Sequence, residues 1–214
     1  MHSQTLLTIA AALFAVCAGA PAAGALPLIS EVFYDASGSD DGLTFVELAG
    51  TPGSTLEGLV LEGVNGANGA AGPSLALGGT FPADGLFVVA DELSGGGTSV
   101  VGADLVAGFE LQNGPDSVVL RQGANILDAV GYGVFGAGDV FAGEGTPAPD
   151  APGGSSLVRR LADVDTDDNA ADFEVHALPT PGSAVRSVPE PGPGSSSGRH
   201  PRETGVSGAA GFRR

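Results

Sequence analysis

Val118-Val119-Leu120-Arg121-Gln122-Gly123-Ala124-Asn125-Ile126-Leu127-Asp128-Ala129-Val130 is the stretch on which the fold class turns. Two runs rich in β-branched and aliphatic residues flank a glycine-containing break, the arrangement a tight β-hairpin needs. Working outward, the same rhythm of short apolar runs between turn residues recurs at Leu28–Tyr34, Leu43–Leu48, Leu56–Glu62, Gly85–Ala90, Ser117–Arg121, Asn125–Gly131 and Ser155–Arg160. Between them, Asn65–Gly79 and Gly133–Gly154 read as long loops rich in Gly, Ala and Pro. Nowhere do apolar residues keep a period of 3.6, so no long helix is expected. The 36 glycines and 15 prolines suit this reading, because Gly loses backbone entropy in regular elements and Pro lacks a donor. The expectation is an all-β sandwich or barrel.

Charge is unevenly distributed. The chain has no lysine, and the segment from Leu26 to Ala184 sets three arginines against 23 of the 25 acidic residues, a formal charge of −20. The residues from Val185 onward carry five arginines against Glu190 and Glu203. A field of the first sign repels phosphate backbones and attracts cations, so nucleic acid is not an expected partner. Acidity of this kind also keeps a protein soluble without any ligand.

The chain divides into three. Residues 1–25 have the design of an export signal: a 15-residue apolar and small-residue stretch from Leu6 to Ala20, too short to span a bilayer, then Ala23-Gly24-Ala25 as a cleavage site. Its n-region is unusual in holding His2 and no Lys or Arg. The one cysteine, Cys17, lies inside this signal behind Phe14-Ala15-Val16, a poor setting for lipid attachment. A mature chain cleaved after Ala25 would have no disulfide, so its stability must come from packing or bound metal. Residues 26–184 form the expected β-domain, and residues 185–214, rich in Gly, Ser, Pro and Arg, are expected to be disordered. No stable transmembrane segment is expected in the mature chain.

Leu28-Ile29-Ser30-Glu31-Val32-Phe33-Tyr34-Asp35, then Asp40-Asp41 and Phe45-Val46-Glu47-Leu48, resembles the opening of bacterial lamin tail domains. Leu56-Glu57-Gly58-Leu59-Val60-Leu61 is similar to that family's third element, and the hairpin ending in Ile126-Leu127-Asp128-Ala129-Val130-Gly131-Tyr132 to its late hairpin. The most specific part is the close: Ser155-Ser156-Leu157-Val158-Arg159-Arg160, Asp165-Thr166-Asp167-Asp168-Asn169-Ala170-Ala171-Asp172-Phe173, and Pro179-Thr180-Pro181-Gly182. The chain departs from the family in having Leu59 where an aromatic is usual and Ala49-Gly50 where Asn is. The resemblance implies an immunoglobulin-like β-sandwich serving as a binding or tethering module, with no catalytic residues to carry over. Val188-Pro189-Glu190-Pro191 and the final Arg213-Arg214 weakly resemble a PEP-CTERM sorting signal, but Ser195–Ala210 between them is too polar to cross a bilayer.

Asp163, Asp165, Asp167, Asn169 and Glu174 are the candidate metal ligands. Counted from Asp163, they fall at positions 1, 3, 5, 7 and 12, imitating a calcium-binding EF-hand loop. Position 6, however, is Asp168 where that loop needs Gly, and no helices flank it. The competing reading is that Asp and Asn here cap turns by bonding nearby backbone N–H groups. A second acidic group, Asp35, Ser37, Ser39, Asp40 and Asp41, reads as a loop. Gly131-Tyr132-Gly133-Val134-Phe135-Gly136 matches a dinucleotide motif literally but has no helix after it to receive a pyrophosphate. Gly194-Ser195-Ser196-Ser197-Gly198 likewise lacks the strand and helix of a nucleophile elbow. With His176 as the only histidine of the domain, zinc and Ser–His or Cys–His catalysis are poor fits.

The function expected from these readings is a secreted or cell-surface, non-enzymatic binding or adhesion module. Ca²⁺ is its possible cofactor, and an extracellular protein or polysaccharide its partner. The alternatives are an accessory domain of a secreted hydrolase or nuclease system, and a structural component of an extracellular matrix.

Overall fold

The computed structural model describes residues 25–188. Two sheets pack face to face, because successive side chains of each strand point to opposite faces and the apolar set must be shared out between them. The larger sheet contains β1 (Leu28–Phe33), β2 (Phe45–Ala49), β5 (Leu86–Asp91), β6 (Leu105–Ala107), β9 (Ser156–Arg159) and β10 (Phe173–His176), in the order β10-β9-β1-β2-β5-β6. The smaller contains β3 (Leu59–Asn65), β4 (Ala71–Ala76), β7 (Asp116–Gln122) and β8 (Asn125–Tyr132), in the order β4-β3-β7-β8. Neighbours run antiparallel except β5 and β6. Among the described residues the one helical turn, α1 (Asn169–Asp172), lies between β9 and β10. The architecture is an immunoglobulin-like β-sandwich, as the sequence led us to expect. The proposed signal and almost all of the 185–214 tail lie outside the described residues.

The main core holds Ile29, Val32 and Tyr34, Val46 and Leu48, Phe87 and Val89, and Leu157 and Phe173 from the larger sheet side. Leu59, Leu61, Val118, Leu120, Val130 and Tyr132 face them from the smaller sheet. A register shift between Ile29 and Glu31 keeps Ile29 and Val32 both facing inward despite their odd spacing. Tyr34 and Tyr132 stack across the interface with ring centroids 4.1 Å apart.

β1, β2 and β5 are buried on both faces. Outside them, Phe33, Phe45, Val88 and Ala90 pack under Val100 and Ala103. Glu31 and Glu47, directly opposite one another on β1 and β2, are also fully buried. Like charges in that position repel. Here each carboxylate oxygen accepts one hydrogen bond. Glu31 receives them from the Thr180 N–H (2.8 Å) and hydroxyl (2.9 Å), and Glu47 from the Ser30 hydroxyl (2.7 Å) and the Gly182 N–H (2.6 Å). The run Pro179-Thr180-Pro181-Gly182 is thus a strap tied across the outer face of the larger sheet by two buried glutamates.

Three strands were not expected. β4 occupies part of the Asn65–Gly79 stretch, whose Ala-Gly-Pro-Ser composition reads as loop. It is an edge strand, where a proline costs no ladder bond on its solvent side. β6 has only three residues, and β10 is a four-residue edge strand hidden in the acidic closing run. The third strand starts at Leu59 rather than Leu56, because Leu56–Leu59 is a turn closed by the Leu59 N–H to the Leu56 carbonyl at 3.1 Å.

Candidate cation site

Alternation along β8 places Asp128 on the same inward face as Val130 and Tyr132, and along β9 places Arg159 with Leu157. The two meet between the sheets, both fully buried. Arg159 Nη2 donates to both Asp128 oxygens at 2.7 and 2.8 Å, a charge-assisted contact through one nitrogen, and Asp128 also accepts the Ile29 N–H at 2.6 Å. The other guanidinium donors are used as well: Nε on the Ile29 carbonyl at 2.8 Å, and Nη1 on Asp172 at 3.0 Å, the Val164 carbonyl at 3.3 Å and Asp165 at 3.4 Å. The guanidinium also lies over the Phe173 ring, 4.6 Å from its centroid. This one arginine therefore ties β1, β8, β9 and the 164–172 turn together.

The acidic run folds as turn chemistry around it. Asp168 caps α1, accepting the Ala170 N–H at 3.2 Å, and holds the Thr146 N–H at 3.0 Å. Asp172 accepts from the Thr166 N–H and hydroxyl at 3.0 and 2.7 Å. Asn169 is buried. Its carbonyl oxygen accepts the Gly131 and Glu144 N–H groups at 2.9 and 3.0 Å, and its amide donates to the Ala129 carbonyl at 2.8 Å. It thereby pins the long 133–154 loop against β8. Gly145 in that loop has φ 57°, and a Cβ there would meet the Asp167 carbonyl at 2.7 Å, so only glycine fits.

Pinning brings Glu144 to the cluster. One oxygen each of Asp128, Glu144 and Asp165 lie within 4.8 Å of one another. Glu144 Oε2 is buried and has no hydrogen-bond partner. Burial, followed by the charges of Asp128 and Asp165, pushes the Glu144 carboxyl up to about 8, and burial raises Asp128 to about 6 against the opposing pull of Arg159. This corner holds more carboxylates than one guanidinium neutralises, which favours the protonated form of Glu144. A cation of suitable hardness could take that proton's place.

The five ligands suggested by sequence do not converge. Asp163 accepts the Ser187 N–H and hydroxyl at 2.7 and 2.6 Å. Asp167 is exposed with φ 55°. Asn169 is the buried staple just described. Glu174 stands on β10, paired with Arg160 and 3.2 Å from His176. Only Asp165 reaches the carboxylate cluster. Asp128 and Glu144 were missed, yet inward alternation with Val130 and Tyr132 marks Asp128 in the sequence. Glu144, in a loop of small residues, carries no such signal. The Asp35–Asp41 group also diverges. Asp35 bonds the Asn113 amide, Asp40 the Ala36 N–H and Asp41 the Ser94 N–H and hydroxyl.

Comparison with models of protein families, with curated proteins and with solved structures finds no match to this chain.

Proposed function

We propose that this chain is a non-enzymatic binding module of the bacterial cell surface or exterior, a lamin-tail-like sandwich whose Asp128, Glu144 and Asp165 take up Ca²⁺ in the folded state. The observation that carries the calcium part is the buried, unpartnered Glu144 Oε2 facing two further carboxylates. One oxygen of each carboxylate is within 4.8 Å of the other two, and water can complete a flexible Ca²⁺ shell. The module reading is supported by the ordered resemblance of the opening, hairpin and closing runs to lamin tails, and by the export signal expected ahead of them. Among the described residues no helix is long and apolar enough to cross a membrane.

A second reading, favoured by the full set of bonds on Arg159, is that this arginine alone balances the cluster and no metal enters. Calorimetric unfolding of the mature chain with Ca²⁺ and with chelator separates the two. Metal bound only by the folded state stabilises by about 2.7 kcal/mol at a hundredfold excess over Kd. We expect a rise in Tm that Glu144→Gln with Asp165→Asn abolishes, together with proton release on binding near pH 7, because the ion displaces the Glu144 proton. An unchanged Tm at millimolar Ca²⁺ would leave Arg159 as the only counter-charge.

A further inference from the structure

An apolar cleft of about 500 Å³ opens on the outer face of the larger sheet, between the 179–182 strap and the loop at 99–101. Phe33 and Phe45, paired in register on β1 and β2 with ring centroids 5.8 Å apart, form its floor. Leu43 and Val101 line it on the loop side, and Pro179 and Pro181 on the strap side. Val101 is 83% exposed, and no lining residue is charged. Both flanks are fixed. The Ser99 N–H and Thr98 hydroxyl donate to the Gly42 carbonyl at 2.9 and 3.1 Å, and the strap is held by Glu31 and Glu47. The cleft is therefore preformed, and it leaves apolar groups facing water.

Its surroundings are acidic. Asp41 lies two residues before Leu43 and Asp104 three after Val101. The Ser94 N–H and hydroxyl hold Asp41 at 2.8 and 3.0 Å, and the Val88 N–H holds Asp104 at 2.9 Å. The arginines of residues 26–184 are engaged elsewhere: Arg121 with Glu62, Arg159 in the core and Arg160 with Glu174. A second copy would bring the same excess of acid to this face and be repelled. The matching occupant joins an apolar anchor to positive charge.

Gly211-Phe212-Arg213-Arg214 has that chemistry. Phe212 is the one Phe, Tyr or Trp after Phe173, and two arginines follow it directly. Its reach also fits. The described chain leaves beside the Ala49 end of β2, where Arg186 Nη2 donates to the Gly85 carbonyl at 3.0 Å and Ser187 bonds Asp163. The cleft lies at the Phe45 end of the same five-residue strand, about 17 Å away. The 24 positions from Val188 to Phe212, Gly- and Ser-rich, have a typical reach of about 25–30 Å. A linker matched to its span holds its end at a high effective concentration. We propose that Phe212 docks in this cleft, against Phe33, Phe45 and the strap prolines, with Arg213 and Arg214 facing Asp41 and Asp104, so that the chain covers its own apolar face. This goes beyond the binding-module reading and makes no use of the carboxylates at Asp128.

The chain has no tryptophan, so Phe212→Trp gives the mature chain a single fluorescent reporter without touching the sandwich. In chelator and at low salt we expect blue-shifted emission, shielded from acrylamide to an extent independent of protein concentration. Adding Val101→Lys, at an exposed position, should red-shift the emission and raise quenching toward that of the urea-unfolded chain, with an unchanged circular dichroism spectrum. Arg213→Gln with Arg214→Gln should weaken docking by roughly twofold to tenfold, since exposed ion pairs contribute little each. Salt at about 1 M, where the Debye length is about 3 Å, should have a similar effect. Emission in the parent background already like that of the unfolded chain, or unmoved by Val101→Lys, would overturn the proposal. So would shielding that grows with protein concentration, which would seat the segment of one copy on another. Because chelator is present throughout, failure here does not bear on the calcium reading.

Discussion

The two faces of β1 bury carboxylates by opposite means. On the inner side, Asp128 is answered by a full charge, the Arg159 guanidinium. On the outer side, Glu31 and Glu47 have no cation among the described residues in hydrogen-bond contact and are answered by two N–H groups and two hydroxyls. The inner solution recruits a charge but draws further acids around it, until Glu144 is left with an orphaned oxygen. The outer one satisfies every oxygen yet leaves two acids face to face. A buried charge can thus be neutralised by a counter-charge or by oriented dipoles, and the two choices respond differently to mutation and pH.

The inner pair should be the more costly to break. Arg159→Met strands Asp128 and Asp172 in the core, and we expect a loss of about 3–5 kcal/mol in urea unfolding. Adding Asp128→Leu should recover much of it, since an apolar pair tolerates the same site. A single variant within 1 kcal/mol of the parent, to order of magnitude, would mean that the ion pair is incidental. Asn169→Ala comes next. It leaves buried backbone groups of Gly131 and Ala129 without partners, at about 1–3 kcal/mol each, and should expose the 133–154 loop to proteolysis.

On the outer side, Thr180→Val removes one hydroxyl donor to Glu31 and should cost about 1 kcal/mol. Hydrogen exchange should then show the 179–182 strap opening before the sheet beneath it. An intact strap would show that Pro179 and Pro181, and not the glutamates, hold it.

pH sharpens the contrast further. Burial raises Glu31 and Glu47 above the usual carboxylate range, Glu31 against its Thr180 bonds and the charge of His176, and Glu47 with added repulsion from Glu31 and Asp84. Glu144 is raised to about 8. From the ordinary glutamate value near 4.5 up through these raised values, the folded chain holds protons that the unfolded chain has released. Stability in chelator should therefore fall as pH rises through this window. Urea midpoints measured between about pH 5 and 9 should show the decline continuing to about pH 8 in the parent and ending earlier in Glu144→Gln. A profile identical in the two would remove Glu144 from the account.

Much of the architecture was legible without coordinates, because period-2 alternation and turn chemistry are local. The hairpin at 118–130, strands within Leu28–Tyr34 and Leu43–Leu48, and the lack of any long helix among the described residues follow from neighbours in the chain. β4 and β10 were not legible, since edge strands accept the Gly, Pro and charged residues that otherwise announce a loop. Asp165 was singled out for its place in an acidic run, which is a local property, and the run proved to be a capped helical turn. What only the tertiary structure decided is where its atoms point. Asp128, Glu144 and Asp165 come from a strand, a loop and a turn, and Glu31 meets Thr180 from 149 positions away. Alternation assigns a residue to a face, whereas a site depends on which distant residues share that face, and that is set by the packing of one sheet on the other.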